Sequence, residues 1–184
     1  ENRALRLIGE QGSFSQSSLN YHRLMLDTFC IVEMWRQRNS LPTFSTHVYQ
    51  RLQAATKWLM SLIEPTTGDG PNLGANDGAR LLPLTNAGYR DYRPSVQLAS
   101  VLFNKSKAYK DGPWNEVLDW FQVPIPEEQC SFPVSLMAED GGFAMLRQEK
   151  VLAMLRYPRF RFRPSQADVL HLDLWIGAEN ILRD

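Results

Sequence analysis

Two adjacent residues near the start of a predicted helix have side chains that could move protons. They are Tyr21 and His22, and Arg23 follows them. A tyrosine hydroxyl ordinarily titrates near pH ~10, so Tyr21 could act as a base near neutrality only where cations or hydrogen-bond donors stabilise the phenolate. An interfacial tyrosine beside a surface histidine would produce the same pattern. The pair by itself leaves both interpretations open.

A second polar cluster lies in a glycine-rich segment, Gly74 to Arg80. Asn76, Asp77 and Arg80 place an amide, a carboxylate and a guanidinium close together between glycines. Because glycine has no Cβ, such a segment lets backbone approach a ligand closely. A tight turn closed by the Asn or Asp side chain is the structural alternative. No GKS or GKT follows, so the segment is not a Walker phosphate loop.

Three arginines alternate with phenylalanines in the segment RYPRFRFRP. In an extended chain Arg159, Arg161 and Arg163 would share one face at spacings of roughly 6.6 Å. Planar guanidinium groups at this spacing suit carboxylate or sulfate groups along an acidic chain. The alternative is a solvated outer face of a sheet.

Alternation in the segment VLHLDLWIG predicts a strand with two different faces. Leucines at 170, 172 and 174 share one face, and His171, Asp173 and Trp175 share the other. His171 and Asp173 could pair across one pleat, which would orient the imidazole. A histidine with a purely structural role is the alternative. The chain has three histidines, and their sequence contexts do not suggest convergence on a metal.

Composition restricts the class of protein. The 184 residues are 43% hydrophobic and 22% charged, which is typical of a globular domain. The formal net charge is zero, so binding to a polyanion would need a local basic patch, and we expect no nucleic-acid partner. Cys30 and Cys130 form no CxxC pair. No apolar run approaches the ~18–20 residues needed to span a bilayer.

The periodicity changes from helical to strand-like along the chain. Predicted helices cover Leu19–Arg38, 48–62, Pro94–Phe103 and Trp114–Phe121, and a long glycine-rich loop separates the second from the third. Period-two segments at 143–147, 151–157 and 169–175 follow, the first of them after an Asp-Gly-Gly turn. The sequence therefore predicts an α+β protein, with helices in 1–122, a proline-rich linker at 123–135 and antiparallel strands in 136–184.

Specific core residues follow from the same patterns. The stripe of the first long helix is predicted to contain Leu24, Thr28, Ile31 and Trp35. Large aromatic residues fill the space between packed helices, and the candidates for this role are Trp35, Trp58, Trp114 and Trp120.

Taken together and in this order, the segments resemble the heparinase II/III family of polysaccharide lyases. The matching stretches are QGSFSQSSLNYHRLMLD, PNLGANDGARLLPL with DYRPSVQLASVLF, GGFAMLR, and RFRPSQADVLHLDLWIGAENILRD. The resemblance implies the last helices of an α/α toroid joined to the first strands of a β-sandwich. It also implies that the chain is a middle fragment of a longer protein and has no activity in isolation.

The resemblance further implies β-elimination at a uronic acid. Tyr21 falls on the catalytic tyrosine of the family's Tyr-His motif, which His22 completes, and is the expected proton donor, with the role of base left open. The asparagine-histidine pair that neutralises the substrate carboxylate in the family would lie upstream of Glu1. The expected substrate-binding residues are Asn76, Asp77, Arg80, Arg93, Arg161, Arg163, Gln166 and His171.

One departure from the family pattern concerns the first sandwich motif. A histidine commonly precedes Ala-Asp there, and this chain has Gln166 instead. Glutamine can hydrogen-bond a carboxylate but cannot shuttle a proton. One branch of the family binds zinc in this region, and Asp184 falls near one ligand position. Because Gln166 replaces the histidine, we expect no metal cofactor.

The leading hypothesis is a lyase for an acidic, uronate-containing polysaccharide in the bacterial periplasm or cell envelope. The alternative is a non-catalytic protein that binds acidic polysaccharide or is associated with capsule or exopolysaccharide, for which Gln166 is the argument. A hydrolase on an α/α barrel would need two suitably placed carboxylates. Asp77 and Asp91 are the candidates, and no second motif supports them. An exposed strand edge would also favour a homodimer or strand exchange.

Overall fold

Helices form the first part of the computed structural model, which describes residues 1–157, 159 and 170–183. Within these residues the α-helices are α1 (Asn2–Leu7), α2 (Leu19–Arg38), α3 (Thr46–Leu62), α4 (Arg93–Ala99) and α5 (Glu116–Phe121). A π-helical turn, Ser100–Asn104, continues α4, and a 3₁₀ turn, Pro113–Asn115, precedes α5. The sequence predicted α2, α3 and the helices around α4 and α5, and it missed α1.

An antiparallel sheet follows the helices. Its strands are β1 (Ser135–Ala138), β2 (Phe143–Gln148), β3 (Val151–Arg156), β4 (His171–Ile176) and β5 (Glu179–Leu182). The spatial order is β1-β2-β3-β4-β5, so each strand pairs with its neighbour in sequence and the described sheet has β1 and β5 at its edges. The prediction of an α+β protein with antiparallel strands after the helices is confirmed. The finer division into 1–122, 123–135 and 136–184 stays a prediction.

The buried face of α2 differs from the predicted stripe. Thr28 is exposed, and the side chain of Trp35 is 59% exposed. The buried apolar positions are instead Leu19, Met25, Leu26, Cys30 and Met34. This face also contains polar residues, so hydrophobicity along the sequence does not mark it. The buried polar residues of α2 are Asn20, His22, Arg23, Asp27 and Glu33.

Helix α3 follows the sequence prediction closely. Its apolar stripe is fully buried, and so is Trp58. The proposal that all the helix tryptophans fill the core is wrong for Trp35, which is 59% exposed, and for Trp120, which is 70% exposed. A single exposed tryptophan needs no partner, and these two lie on the outer faces of α2 and α5.

The helices and the sheet share one hydrophobic core. The inner face of β2 packs on α3, where the Phe143 ring lies 5.0 Å from the ring of Trp58 in an edge-on arrangement. Arg147 Nη2 donates hydrogen bonds to the carbonyl oxygens of Ser61 and Ile63, at 3.1 and 2.8 Å. The guanidinium therefore satisfies backbone groups at the end of α3, which would otherwise have no partner.

The outer face of the sheet is apolar and open. Leu146 is 65% exposed and Leu172 is 46% exposed, and they lie on the face opposite α3. The predicted alternation in β4 is correct, yet the leucine face is the exposed one and Asp173 and Trp175 are buried. Other apolar side chains on this face are Met137, Ala144, Val151, Ala153, Leu155, Leu174, Ile176 and Leu182.

Candidate functional site

The segment between α3 and α4 contains no helix or strand, but hydrogen bonds attach it to the start of α2. Leu19 N donates to Leu73 O at 3.1 Å. The Ser18 hydroxyl caps α2 by accepting from Tyr21 N at 3.2 Å, and it donates to Ala75 O at 2.6 Å. Gly74 has a φ of +68°, and a Cβ there would lie 2.3 Å from Ser17 O. Only glycine fits this approach, which places the loop beside the first turn of α2.

The centre of the candidate site is a hydrogen bond between Tyr21 and Asp77. Tyr21 Oη donates to Asp77 Oδ2 at 2.6 Å, on the surface of the molecule. The other carboxylate oxygen accepts from Asn20 Nδ2 at 3.3 Å and from Ala79 N at 3.1 Å. The contact joins residues 56 positions apart in the chain.

This contact sets the protonation of both groups. The hydrogen bond to Asp77 and the negative charge of its carboxylate raise the pKa of Tyr21. The same hydrogen bond, with that from Ala79 N, lowers the pKa of Asp77. At neutral pH the site therefore holds a protonated hydroxyl against a carboxylate. Because a phenolate is disfavoured, Tyr21 in this state can donate a proton but is a poor general base.

The loop is also the tight turn that the sequence left as an alternative. Asn76 Oδ1 accepts from Gly78 N at 3.2 Å, and Asp77 Oδ1 accepts from Ala79 N at 3.1 Å. The Tyr89 hydroxyl also donates to Asn76 Oδ1. Two consecutive turns, each closed by a side-chain hydrogen bond, fix the tip of the loop. They leave Asp77 Oδ2 free to accept from the Tyr21 hydroxyl. The structural role and the candidate functional role thus belong to the same turn.

Beneath this turn lies Arg23, which is 1% exposed. Its Nη1 donates to Tyr89 O at 2.6 Å, and its Nη2 donates to Asn20 Oδ1 at 2.7 Å and to Ala79 O at 3.3 Å. Its Cζ lies 4.6 Å from the ring centroids of both Tyr89 and Tyr92. Arg23 therefore contacts α2 and both ends of the segment from 79 to 89.

Two of the expected substrate-binding residues, Arg80 and Arg93, are bonded to other groups of the protein. Arg80 Nη1 donates to Ala87 O at 2.9 Å, within its own loop. Burial and then the charge of Arg23 lower the pKa of Arg80. Arg93 forms a two-pronged ion pair with Asp91, at 2.9 and 2.7 Å, and its Cζ lies 4.4 Å from the ring centroid of Trp114. Arg93 therefore holds the start of α4, while the Tyr21 hydroxyl donates to Asp77.

His22 lies in the core rather than at the surface. Its Nε2 is 2.9 Å from Ala55 O, and because a carbonyl only accepts, this nitrogen carries the proton. The imidazole stacks on Trp58 with 4.4 Å between ring centroids. Complete burial lowers the pKa of His22 to about 4. At neutral pH the ring is neutral, and it cannot reach a ligand at the surface, so proton chemistry at this site depends on Tyr21.

His171 and Asp173 lie on one face of β4, as the alternation predicts. His171 Nε2 and Asp173 Oδ2 are 3.7 Å apart, an ion-pair distance once the imidazole is protonated. Asp173 Oδ1 accepts from Trp175 Nε1 at 2.5 Å and from Asn180 Nδ2 at 3.3 Å, and burial raises its pKa. These bonds stay within β4 and β5. The structure does not bring them into the hydrogen-bonded cluster around Tyr21.

Three of the expected substrate-binding residues, Arg161, Arg163 and Gln166, lie outside the described residues. Arg159 is described and is exposed. Among the residues that the structure describes, no group of three or more His, Cys, Asp or Glu side chains could hold a metal ion. Of the described helices, none is long and apolar enough to cross a membrane.

A cleft of about 890 Å³ lies between the end of α1, the following loop and the β1–β2 turn. Arg6, Arg51, Arg159 and Asp140 are among the residues that line it. Tyr21 is not among the lining residues. Ser17 does line the cleft, four positions before Tyr21.

Sequence reasoning missed Asn20 and Tyr89 as members of the site, and treated Arg23 only as a neighbour of the Tyr-His pair. The signal available was spacing, because Asn20 and Arg23 are three positions apart and so lie on one side of α2, next to Tyr21. Tyr89 carried no comparable signal.

Comparison of the chain with protein-family models, with curated proteins and with solved structures gives no match. The structure itself defines an α+β protein whose half-buried tyrosine is hydrogen-bonded to a loop aspartate over a buried arginine.

Proposed function

We propose that this chain carries part of the site of a heparinase II/III-like lyase that cleaves an acidic, uronate-containing polysaccharide. The observation that carries the proposal is the Tyr21 hydroxyl, held protonated at the surface by Asp77 of a glycine-rich loop. The sequence resemblance implies that Tyr21 corresponds to the catalytic tyrosine of that family, which supports the proposal. Location in the periplasm or cell envelope belongs to the same proposal.

The finer architecture is part of this proposal. The helices would belong to an α/α toroid and the sheet to a β-sandwich. The exposed apolar outer face of the sheet supports the second assignment, since a sandwich buries one such face of each sheet.

In the proposed reaction a base removes the proton on the carbon next to the uronate carboxylate. The electron pair forms the new carbon–carbon double bond, and the bond from the adjacent carbon to the glycosidic oxygen breaks. Tyr21 gives its proton to that leaving oxygen and then regains one from water, while the base returns the proton that it took to water. For this step the Tyr21 hydroxyl must turn from Asp77 to the glycosidic oxygen, which accepts the proton readily because it develops the charge of an alkoxide.

The test replaces Tyr21 with phenylalanine in a polypeptide that contains this chain and releases unsaturated uronate. Tyr21→Phe keeps the ring and removes the hydroxyl, so turnover should fall by about 10²–10⁴-fold, the usual contribution of a general acid. Absorbance of the unsaturated product, with a panel of acidic glycans, measures turnover.

The chain offers a matched control in Tyr49. Tyr49 lies in α3, and its hydroxyl also donates to a carboxylate, that of Glu33 at 3.1 Å, about three turns along α2 from Tyr21. Tyr49→Phe should leave turnover near normal. If Tyr21→Phe behaves like Tyr49→Phe in a folded protein, Tyr21 is not the proton donor.

A second candidate function is non-catalytic binding of acidic polysaccharide. It is favoured by the absence of a good base around Tyr21 among the described residues, because His22 is buried and the pKa of Asp77 is lowered. On this hypothesis no glycan in the panel yields unsaturated product, and Tyr21→Phe changes the dissociation constant at most.

A further inference from the structure

Arg23 is a buried cation directly beneath the loop that presents Asp77. Only 1% of its surface is exposed, and it lies between the rings of Tyr89 and Tyr92. Burial of an arginine is costly unless hydrogen bonds replace those to water. Both Nη atoms of Arg23 have such bonds, whereas its Nε has no hydrogen-bond partner among the described residues. Here the acceptors are the carbonyl oxygens of Tyr89 and Ala79 and the side chain of Asn20.

These acceptors connect Arg23 to Asp77 by two routes. Because Arg23 Nη2 donates to Asn20 Oδ1, the amide of Asn20 is turned so that its Nδ2 faces Asp77 Oδ1, at 3.3 Å. The second route runs through Ala79, whose carbonyl accepts from Arg23 and whose N–H donates to Asp77 at 3.1 Å. Both donors to Asp77 Oδ1 therefore depend on a residue bound to Arg23.

We propose that Arg23 is a positioning residue that holds Asp77 in contact with the Tyr21 hydroxyl through Asn20 and Ala79. The importance of this contact for turnover rests on the proposed function, but the contact itself does not. The competing interpretation is that Arg23 only stabilises the fold, in which case its loss would lower stability and leave Tyr21 unchanged.

The titration of Tyr21 separates these interpretations by sign. Asp77 raises the pKa of Tyr21, so the pKa should fall if Asp77 moves away. Loss of the positive charge of Arg23, with Asp77 kept in place, would act in the opposite direction, since a nearby cation favours the phenolate. A fall in the pKa therefore reports loss of positioning rather than loss of charge.

The experiment is an NMR titration of the chain with ¹³C-labelled tyrosine rings, with the Tyr21 resonance assigned by its loss in Tyr21→Phe. Asp77→Asn defines the shift expected when the carboxylate is lost. Arg23→Gln should shift the Tyr21 pKa downward to a comparable extent. Arg23→Lys should not restore the pKa, because an ammonium group cannot direct several donors in one plane as the guanidinium does.

Asn20→Ala is the second variant, since it breaks one route while Arg23 keeps its bonds to Tyr89 and Ala79. It should lower the Tyr21 pKa in part. Arg36→Gln is the matched control, because Arg36 is another arginine of α2 that is bonded to Glu33 and Leu41 O. It should leave Tyr21 unchanged.

An unchanged or raised Tyr21 pKa in folded Arg23→Gln would overturn the proposal. If Arg23→Gln does not fold, Asn20→Ala decides, and an unchanged Tyr21 pKa in that variant would reject the positioning role. This readout needs no turnover, so failure to find a lyase activity and failure of the positioning role are separate results.

Discussion

Helix α2 buries several side chains that can carry charge, among them His22, Arg23 and Asp27. Burial shifts the pKa values of Asp27 and His22 in opposite directions. Burial raises the pKa of Asp27 to about 6, and Ser95, Arg23 and Arg80 offset only part of this effect. Burial lowers the pKa of His22 to about 4. Both residues favour the neutral form, as expected where water is excluded.

Asp27 should make the protein less stable as the pH rises. Its folded pKa lies above its ordinary value, so its contribution to stability is complete below about pH 4 and is lost as the pH rises through about 6. Asp27→Asn has no such loss. Between acidic and neutral pH, the free energy of unfolding of this variant should therefore improve relative to the parent by about 3 kcal/mol, from a difference of roughly two pKa units.

Urea denaturation at a series of pH values measures this difference. His22 acts in the opposite direction over nearly the same range, since its lowered pKa removes stability as the pH falls from about 6.5 through 4. In the parent the two effects on the free energy of unfolding oppose each other. In Asp27→Asn the effect of Asp27 is removed, so the pH dependence caused by His22 becomes visible. Asp119→Asn, on the exposed side of α5, is the control for loss of a charge. A constant difference between Asp27→Asn and parent at all pH values would contradict the assignment.

Among the elements, the sheet has one face that nothing in the described structure covers. Apolar residues on several strands lie side by side there, with Leu146 65% exposed and Leu172 46% exposed. Large apolar patches usually mark contact surfaces or sites of aggregation. Self-association through this sheet is therefore expected of the chain by itself, and the exposed face is a stronger reason for it than the strand edges.

Replacing Leu146 and Leu172 together with glutamine should weaken self-association and reduce the fluorescence of a dye that binds apolar surface. The fold should be retained because neither side chain is in the core. Sedimentation velocity and dye fluorescence measure the two effects. Val32→Gln, which changes a 38% exposed apolar residue on α2, is the control. Equal association and equal dye fluorescence in the parent, the double variant and Val32→Gln would show that this face does not mediate self-association.

At the scale of the whole molecule, the helices and the sheet are joined too closely to unfold separately. Asp140 in the β1–β2 turn accepts hydrogen bonds from Gln11 N at 2.9 Å and from the Ser13 hydroxyl at 2.7 Å. Arg147 and Phe143 connect β2 to α3. Units that share a core and polar contacts are expected to unfold together.

Calorimetry and far-ultraviolet circular dichroism should therefore show one coincident thermal transition. Asp140→Ala removes two acceptors between the turn and the loop after α1, so it should lower the melting temperature while keeping a single transition. Two separate transitions in the unmodified chain would instead support independent helical and sheet units.

Local pattern was enough to predict most elements of this fold. Helix α3 has an apolar stripe of regular spacing, and its observed limits are Thr46 and Leu62. Strands β2 and β3 were predicted from alternation and from the Asp-Gly-Gly turn before them. The buried face of α2 was not predicted, because it includes His22, Arg23 and Asp27, whose burial depends on partners from other elements.

The sequence by itself determined the order of helices and strands and pointed to Tyr21 and to the Asn76–Arg80 loop. These features depend on short-range spacing, turn chemistry and motif. Tertiary structure alone decided that Asp77 meets Tyr21, that Arg23 lies beneath both, and which face of β4 is buried. Each of these is a contact or an orientation between segments far apart in the chain, and alternation defines two faces of a strand without saying which one packs against the core.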